Sequence, residues 1–235
     1  MTLPDGRIHE KENPVEPPED LDWNLWLGPA PYHEYTPNRT GFWHWRNISD
    51  YAKGTLIDWG THLVDTAQLA VNDPKICPVE VEGTGSIPEG KMTDVPVTYD
   101  VNYRYQNGVE VNVKSGGTGI KVIGSKGWIS VPKWKAGFKA SEQSILYNKY
   151  TPDTSKYTAL PPREHRNFLD CLKSGKPTTY TALDLHQLST TLEMGVIAVT
   201  LGRKLKWNPK KEEFVKDKEA NKMCERPKAR KWKKG

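Results

Sequence analysis

Cysteine is scarce in this chain. There are three in 235 residues, Cys77, Cys171 and Cys224, with no CxxC pair among them. Such spacing excludes a disulfide framework and a cysteine-rich zinc site, and all three thiols are expected to be reduced. Long apolar runs are missing too: nothing approaches the about 18 residues of a spanning helix, and the opening MTLPDGRIHEKENPVEPPEDLD has no apolar core of a secretory signal. The expectation is a protein of the cytoplasm with no membrane partner. The phosphate-binding P-loop, the GxSxG nucleophile elbow and the HExxH zinc motif do not occur, so nucleotide hydrolysis, α/β-hydrolase chemistry and zincin chemistry lack their usual groups. GGTGIKVIG approaches a glycine-rich dinucleotide loop, but Val122 stands where the third glycine would follow Gly117 and Gly119.

Charge is present but unevenly spread. The net +5 comes from residues 203–235, which hold 14 Lys or Arg against 5 Asp or Glu; the first 202 residues hold 20 against 24 and are mildly acidic. With no nucleic-acid motif beside it, the basic end reads as a solvated tail, and no nucleic-acid partner is expected. At 36% hydrophobic and 27% charged residues the chain can bury one good core or two small ones.

Residues 1–22, with four prolines and seven acidic residues, read as an extended, poorly packed arm or interdomain linker. LDWNLWLGPAPYHEYTPNRTGFWHWRN follows, an irregular stretch pinned by aromatic side chains. Leu56, Ile57, Leu63, Val64, Ala67, Leu69, Ala70 and Val71 predict a largely buried helix from Thr55, closed by Asn72-Asp73-Pro74. VPVTYD predicts a strand; VNYRY and VEVNVK predict a hairpin about Asn107-Gly108; IKVIG and GWISV predict a second one. Two helices return: PPREHRNFLDCLKSG, with Pro162 near its start and Phe168, Leu169 and Leu172 on one face, and a longer one capped by Thr181 and Asp184 that runs to Gly202. This order predicts an α+β fold, an open, mostly antiparallel β-sheet with helices on one face, occupying residues 23–207 ahead of a basic tail at 208–235.

The most informative constellation is Asp58-Trp59-Gly60-Thr61-His62-Leu63-Val64-Asp65. On one continuous helix Asp58, His62 and Asp65 fall on one stripe, so two carboxylates flank an imidazole, an arrangement suited to moving a proton to or from a substrate hydroxyl. The same residues also suit a buried, hydrogen-bonded histidine, or part of a metal site whose further ligand the sequence does not identify. Trp43, Trp45, Tyr32 and Tyr35 offer flat faces for a sugar ring, and His44 and Arg46 offer donors; Trp43, Arg46 and Asp65 are taken as candidate substrate-binding residues.

Several of these segments resemble the C-terminal domain of the Gfo/Idh/MocA oxidoreductases, named for glucose-fructose oxidoreductase and inositol dehydrogenase. They are Leu21-Asp22-Trp23-Asn24-Leu25-Trp26-Leu27-Gly28-Pro29-Ala30-Pro31, then Gly54 through Asp65, Ile123-Gly124-Ser125-Lys126-Gly127-Trp128, His165 through Cys171, Leu201 through Trp207 and Glu219-Ala220-Asn221. The resemblance implies a sheet-bearing domain, of the dihydrodipicolinate-reductase-like C-terminal type, that acts on sugars or polyols, supports homo-oligomers, and works beside a Rossmann domain holding NAD or NADP. It implies that His62 is the proton-transferring histidine and Asp58 its acidic companion, the expected catalytic residues.

The dinucleotide domain itself, with its glycine fingerprint and the lysine of the family's Glu-Lys-Pro motif, is not in the sequence, so this chain alone is expected not to bind NAD(P); no metal is expected either, for want of an identified further ligand. It reads as the substrate-binding, proton-transfer and oligomerisation half of a dehydrogenase. The alternatives are a cofactor-independent carbohydrate lyase, epimerase or binding module using the same His/Asp pair, or a purely structural dimerisation module.

Overall fold

The computed structural model describes residues 1–71, 77–147 and 164–225. In chain order the elements are β1 (Thr2–Leu3), α1 (Trp23–Leu27), α2 (Thr55–Asp58), α3 (Gly60–Ala70), β2 (Pro78–Ser86), β3 (Thr98–Tyr105), β4 (Glu110–Ser115), β5 (Ile120–Gly124), β6 (Gly127–Val131), β7 (Lys139–Ala140), α4 (Gln143–Tyr147), α5 (Glu164–Ser174), α6 (Ala182–Leu201), β8 (Leu205–Asn208), β9 (Glu213–Phe214) and α7 (Lys218–Met223). The strands form a six-stranded sheet in the order β1-β4-β3-β2-β8-β9 and a three-stranded sheet, β5-β6-β7. Every pairing is antiparallel except β1 with β4. The α+β class is as the sequence predicts, although the large sheet is mixed and the second hairpin builds a sheet of its own.

Period-two alternation fixes β3. Tyr99, Val101, Tyr103 and Tyr105 are buried beneath α6, while Thr98, Asn102 and Arg104 face outward. The β3–β4 hairpin turns where Asn-Gly directs it, with Gly108 at φ 84°. VPVTYD is not a separate strand: its last three residues begin β3. The sequence reading gives no strand at 78–86, yet β2 is the central partner of β3 and β8. Its glycines hide it, and they have a packing reason. A Cβ on Gly83 would lie 2.9 Å from the Val199 side chain of α6, so the helix rests almost on the strand backbone. Helix α6 carries the predicted cap, with Thr181 and Asp184 bonding reciprocally, and ends on Gly202 in the left-handed region.

Both ends of the chain depart from expectation. The opening segment is not a loose arm: Leu3 is fully buried in the core and β1 extends the large sheet. Beyond it, Gly6 donates to the Val97 carbonyl at 2.7 Å and His9 to Thr93 Oγ1 at 2.9 Å. The folded unit also continues past Trp207. Phe214 and Ala220 are buried, and Arg203 pairs with Asp217 and Glu219, its guanidinium holding the Asp217 carboxyl down at about 2. Residues 226–235 of the expected tail lie outside the described residues, as do the Asn72-Asp73-Pro74 stop and Pro162. In α5 the predicted apolar face of Phe168, Leu169 and Leu172 is exposed rather than packed. The outer face of the large sheet is polar. Glu80 pairs with Lys204 at 2.7 Å, and Asp100 with Lys114 at 3.2 Å.

Gly195 and Tyr103 give the core its sharpest test. A Cβ on Gly195 would collide with the Tyr103 hydroxyl, and that hydroxyl is buried without a hydrogen-bond partner. Gly195→Ala is expected to destabilise the fold by about 1–3 kcal/mol through overpacking. Tyr103→Phe, which removes an unsatisfied buried group, should leave stability unchanged or raise it by up to about 1 kcal/mol. Urea unfolding of both variants checks this; a strongly destabilised Tyr103→Phe would contradict it.

Candidate functional site

The helix predicted to run unbroken from Thr55 is interrupted at one residue. Gly54, at φ 77°, starts α2; Asp58 ends it; Trp59 separates it from α3, which begins at Gly60. The break has a steric setting, since a Cβ on Gly60 would lie 2.5 Å from Leu192 of α6. Glycine is therefore used here for a close approach, of a core leucine rather than of a ligand. Leu56, Leu63 and Val64 go into the core, while Thr61, His62 and Thr66 are exposed and Asp58 and Trp59 are half-buried. The motif thus lies at the boundary between core and solvent.

Asp58 lines a cleft of about 170 Å³ together with Asp5, Arg7, Trp43, Arg46 and Trp59. Two elements deliver its cations. Arg46 sits in a short turn, 45–47, tied to the start of α2 by the Gly54 N–H, which donates to the Arg46 carbonyl at 2.9 Å. Its guanidinium stacks on the rings of Phe42 and Trp45, 4.1 and 4.2 Å from their centroids, and its Nε lies 3.6 Å from Asp58 Oδ1. Arg7 arrives from the opening segment and lies 4.5 Å over the Trp43 ring. Both cations are thereby held by aromatic faces, and Arg46 is further fixed by its Nη1, which donates to the Phe42 carbonyl. Beneath them the buried Tyr99 hydroxyl donates to the Pro4 carbonyl at 3.1 Å and lies 3.2 Å from Thr55 Oγ1, joining β1, β3 and α2; burial pushes its pKa upward.

His62 stands at the other side of the motif. Its imidazole is 6.3 Å from the Trp59 ring and 6.4 Å from that of Trp134, and the two indoles meet edge to face, 5.8 Å apart at 86°. Trp59 is common to the cleft and to this aromatic corner. The structure therefore brings together Asp58, Trp43 and Arg46 in the cleft and places His62 beside it. It does not bring in Asp65, which accepts a hydrogen bond from the Tyr180 hydroxyl and is engaged in joining α3 to the segment before α6. Arg7 and Asp5 were hidden from sequence reasoning by the proline-rich composition around them. Trp134, in the lysine-rich stretch between β6 and β7, carries no pattern that would single it out. Among the described residues no three His, Cys, Asp or Glu side chains gather as a metal site would need, and no helix is long and apolar enough to cross a membrane.

The one glycine cluster near to a phosphate loop does not fit a dinucleotide. The N–H groups of Gly116 and Gly117 donate to the Leu3 carbonyl at 2.9 and 3.0 Å, and that of Gly119 donates to the Thr2 carbonyl at 3.1 Å. Amides used in holding β1 are not available to a pyrophosphate.

A histidine pair that follows the cleft residues Arg7 and Trp43 along the chain is sensitive to acid. His9 and His44 stack with ring centroids 3.9 Å apart, and His9 Nε2 and His44 Nδ1 are buried without hydrogen-bond partners. Burial lowers the His9 pKa from 6.5, with the charges of His44 and Arg7 acting in the same direction. The unfolded chain accordingly binds a proton that the folded chain resists. Stability from this group is complete above about pH 6.5 and is lost as the pH falls below it. Thermal unfolding at pH 7.5 and 5.5 should show a smaller acid-induced fall for His9→Gln than for the native chain; equal falls would contradict the assignment.

Comparison with known proteins bears on this arrangement. Residues 5–234 match the family model described as oxidoreductase family, C-terminal alpha/beta domain. No curated protein matches the chain. Similar solved structures include an NAD-binding protein from Listeria innocua, 18% identical with a TM-score of 0.52 over 69% of this chain and 54% of that one. Another is GenD2 from gentamicin A biosynthesis, in complex with NAD, 18% identical with a TM-score of 0.50 over 77% of this chain and 53% of that one. A third is an aldose-aldose oxidoreductase from Caulobacter crescentus complexed with glycerol, 16% identical with a TM-score of 0.49 over 69% of this chain and 50% of that one. The chain spans about half the length of each of these proteins. At such identities the first two of these structures speak for the fold alone, whereas the family model covers nearly the whole sequence. The chain belongs to the Gfo/Idh/MocA oxidoreductases and corresponds to their C-terminal α/β domain.

Proposed function

We propose that this chain is the substrate-binding and proton-transferring half of an NAD(P)-dependent sugar or polyol dehydrogenase. The observation that carries the reading is the placement of Asp58 and His62 around one indole, that of Trp59, with the cleft cations Arg7 and Arg46 beside Asp58. Arginine edges and a carboxylate are the groups that hold sugar hydroxyls, and the aromatic faces between them suit the C–H faces of a sugar. Oxidising an alcohol to a carbonyl releases the hydroxyl proton. His62 accepts that proton, and being exposed it passes it to water; Asp58 and Arg46 orient the substrate. The oxidant belongs to a separate dinucleotide-binding domain, and these residues do not hold it.

Isothermal titration at about 0.15 M salt, where weak attraction to basic patches is screened, tests the reading. Aldoses, cyclitols and polyols should bind the chain saturably and Asp58→Asn should weaken them, while NAD(H) should show no saturable micromolar binding. Tight NAD(H) binding, or no carbohydrate binding at all, would contradict it. In an enzyme completed with its dinucleotide domain, His62→Ala should lower turnover by about 10²–10⁴ with little change in stability.

The same reading assigns self-association to the outer face of the large sheet. The alternating charges there, Glu80 beside Lys204 and Arg104 and Asp100 beside Lys114, allow a second copy to pair with the first. Light scattering at tens of micromolar should give a dimer or tetramer that loosens as salt is raised. A monomer at low salt would refute it.

A further inference from the structure

We infer that Trp134 selects ring-form substrates, pyranoses or cyclitols, over open-chain polyols by stacking on one face of the ring beside His62. The inference rests on the proposed function and narrows it. Trp134 lies in the connection from β6 to β7 and is 48% exposed, so part of its indole is open to a ligand while Trp59 and His62 flank it. An exposed indole beside an imidazole is not a core anchor, and the tryptophans that serve that purpose here, Trp23 and Trp207, are buried.

Its position is also fixed by the local backbone. The Trp134 N–H donates to Thr118 Oγ1 at 3.1 Å, the Ala136 N–H closes a turn on the Lys133 carbonyl at 2.9 Å, and Lys135 adopts a φ of 63°. A lysine in the left-handed region is uncommon, and here it immediately follows the exposed tryptophan. The turn thus presents the indole in a defined orientation, so little ordering is needed when a ligand arrives.

The chemistry of stacking supplies the selectivity. In a pyranose with equatorial hydroxyls, the axial C–H bonds of one face lie nearly in a plane and meet the negative face of an indole together. A cyclitol offers the same surface. An open-chain polyol has no rigid face, and must freeze several bonds to imitate one. With the ring stacked on Trp134, a ring-edge hydroxyl is carried toward His62, which links recognition of the ring to the proposed proton transfer. Trp134 is then a residue that determines specificity, not one that reacts.

Saturation-transfer NMR on the full 235-residue chain tests this with three probes at millimolar concentration: methyl β-D-glucopyranoside, whose ring cannot open, myo-inositol, and D-glucitol. Transfer is expected to the C–H protons of the two ring compounds, several-fold stronger than to D-glucitol. Trp134→Ala should weaken ring binding by about tenfold, the range set by one aromatic contact, and Trp134→Phe should retain most of it. Circular dichroism melting establishes that both variants fold, and a misfolded Trp134→Ala leaves the Trp134→Phe and D-glucitol comparisons to decide. Equal transfer to D-glucitol and the ring compounds, or undiminished transfer in folded Trp134→Ala, overturns the inference and leaves the proposed function standing. Absence of transfer from every carbohydrate to the native chain overturns both.

Discussion

Helix α6 lies unusually close to what surrounds it, and most of the molecule follows from that approach. On its sheet side the Val199 side chain occupies the space above Gly83, and on its helix side Leu192 occupies the space above Gly60. Between them the Tyr103 hydroxyl fits against Gly195. Each glycine costs conformational entropy, about 0.5–1 kcal/mol relative to alanine in a regular element, and each is offset by dense packing of buried aliphatic and aromatic side chains. The contact at Gly60 matters most for the site. It lies where α2 gives way to α3, so the core itself sets the position at which Asp58, Trp59 and His62 emerge.

From that break the site divides its polar groups around an indole. Asp58 faces a cleft whose cations are clamped by rings, Arg46 between Phe42 and Trp45 and Arg7 over Trp43. Arg7 comes from a segment that would otherwise read as an arm, and its place depends on β1 and on the hydrogen bond from the Tyr99 hydroxyl to the Pro4 carbonyl. The cleft is therefore a joint product of the first residues of the chain, the aromatic segment and α2. His62 faces solvent with Trp134 beside it.

Local signals in the sequence were reliable where one physical cause dominated. Asn107-Gly108 fixed its hairpin, the Thr181 and Asp184 box fixed the start of α6, and the spacing of Leu56, Leu63 and Val64 located the buried side of the broken helix. Signals failed where tertiary contact decided. Gly83 and Gly85 disguised β2 because their reasons are tertiary, the Val199 side chain of α6 over both and, for Gly85, the Thr98 carbonyl of β3. The charged and proline-rich composition of residues 1–22 concealed Leu3, a single buried side chain that ties the segment down. In the site, Asp58, Arg46 and Trp43 were legible as residue types and do come together. Asp65 shares α3 with His62, but the break at Trp59 separates that helix from Asp58, and the Asp65 carboxylate is engaged by the Tyr180 hydroxyl. Trp134 was illegible, because nothing in VPKWKAGF reveals that a turn brings its indole to His62.

The central claim is that one carbohydrate site spans both sides of Trp59. The most direct measurement is a crystal structure of the chain grown or soaked with methyl β-D-glucopyranoside at high concentration. The account predicts sugar density touching the Trp59 region with a hydroxyl within hydrogen-bond reach of His62 or Asp58. Ordered sugar elsewhere on the protein, with the Asp58 cleft and the His62 corner both empty, would contradict it.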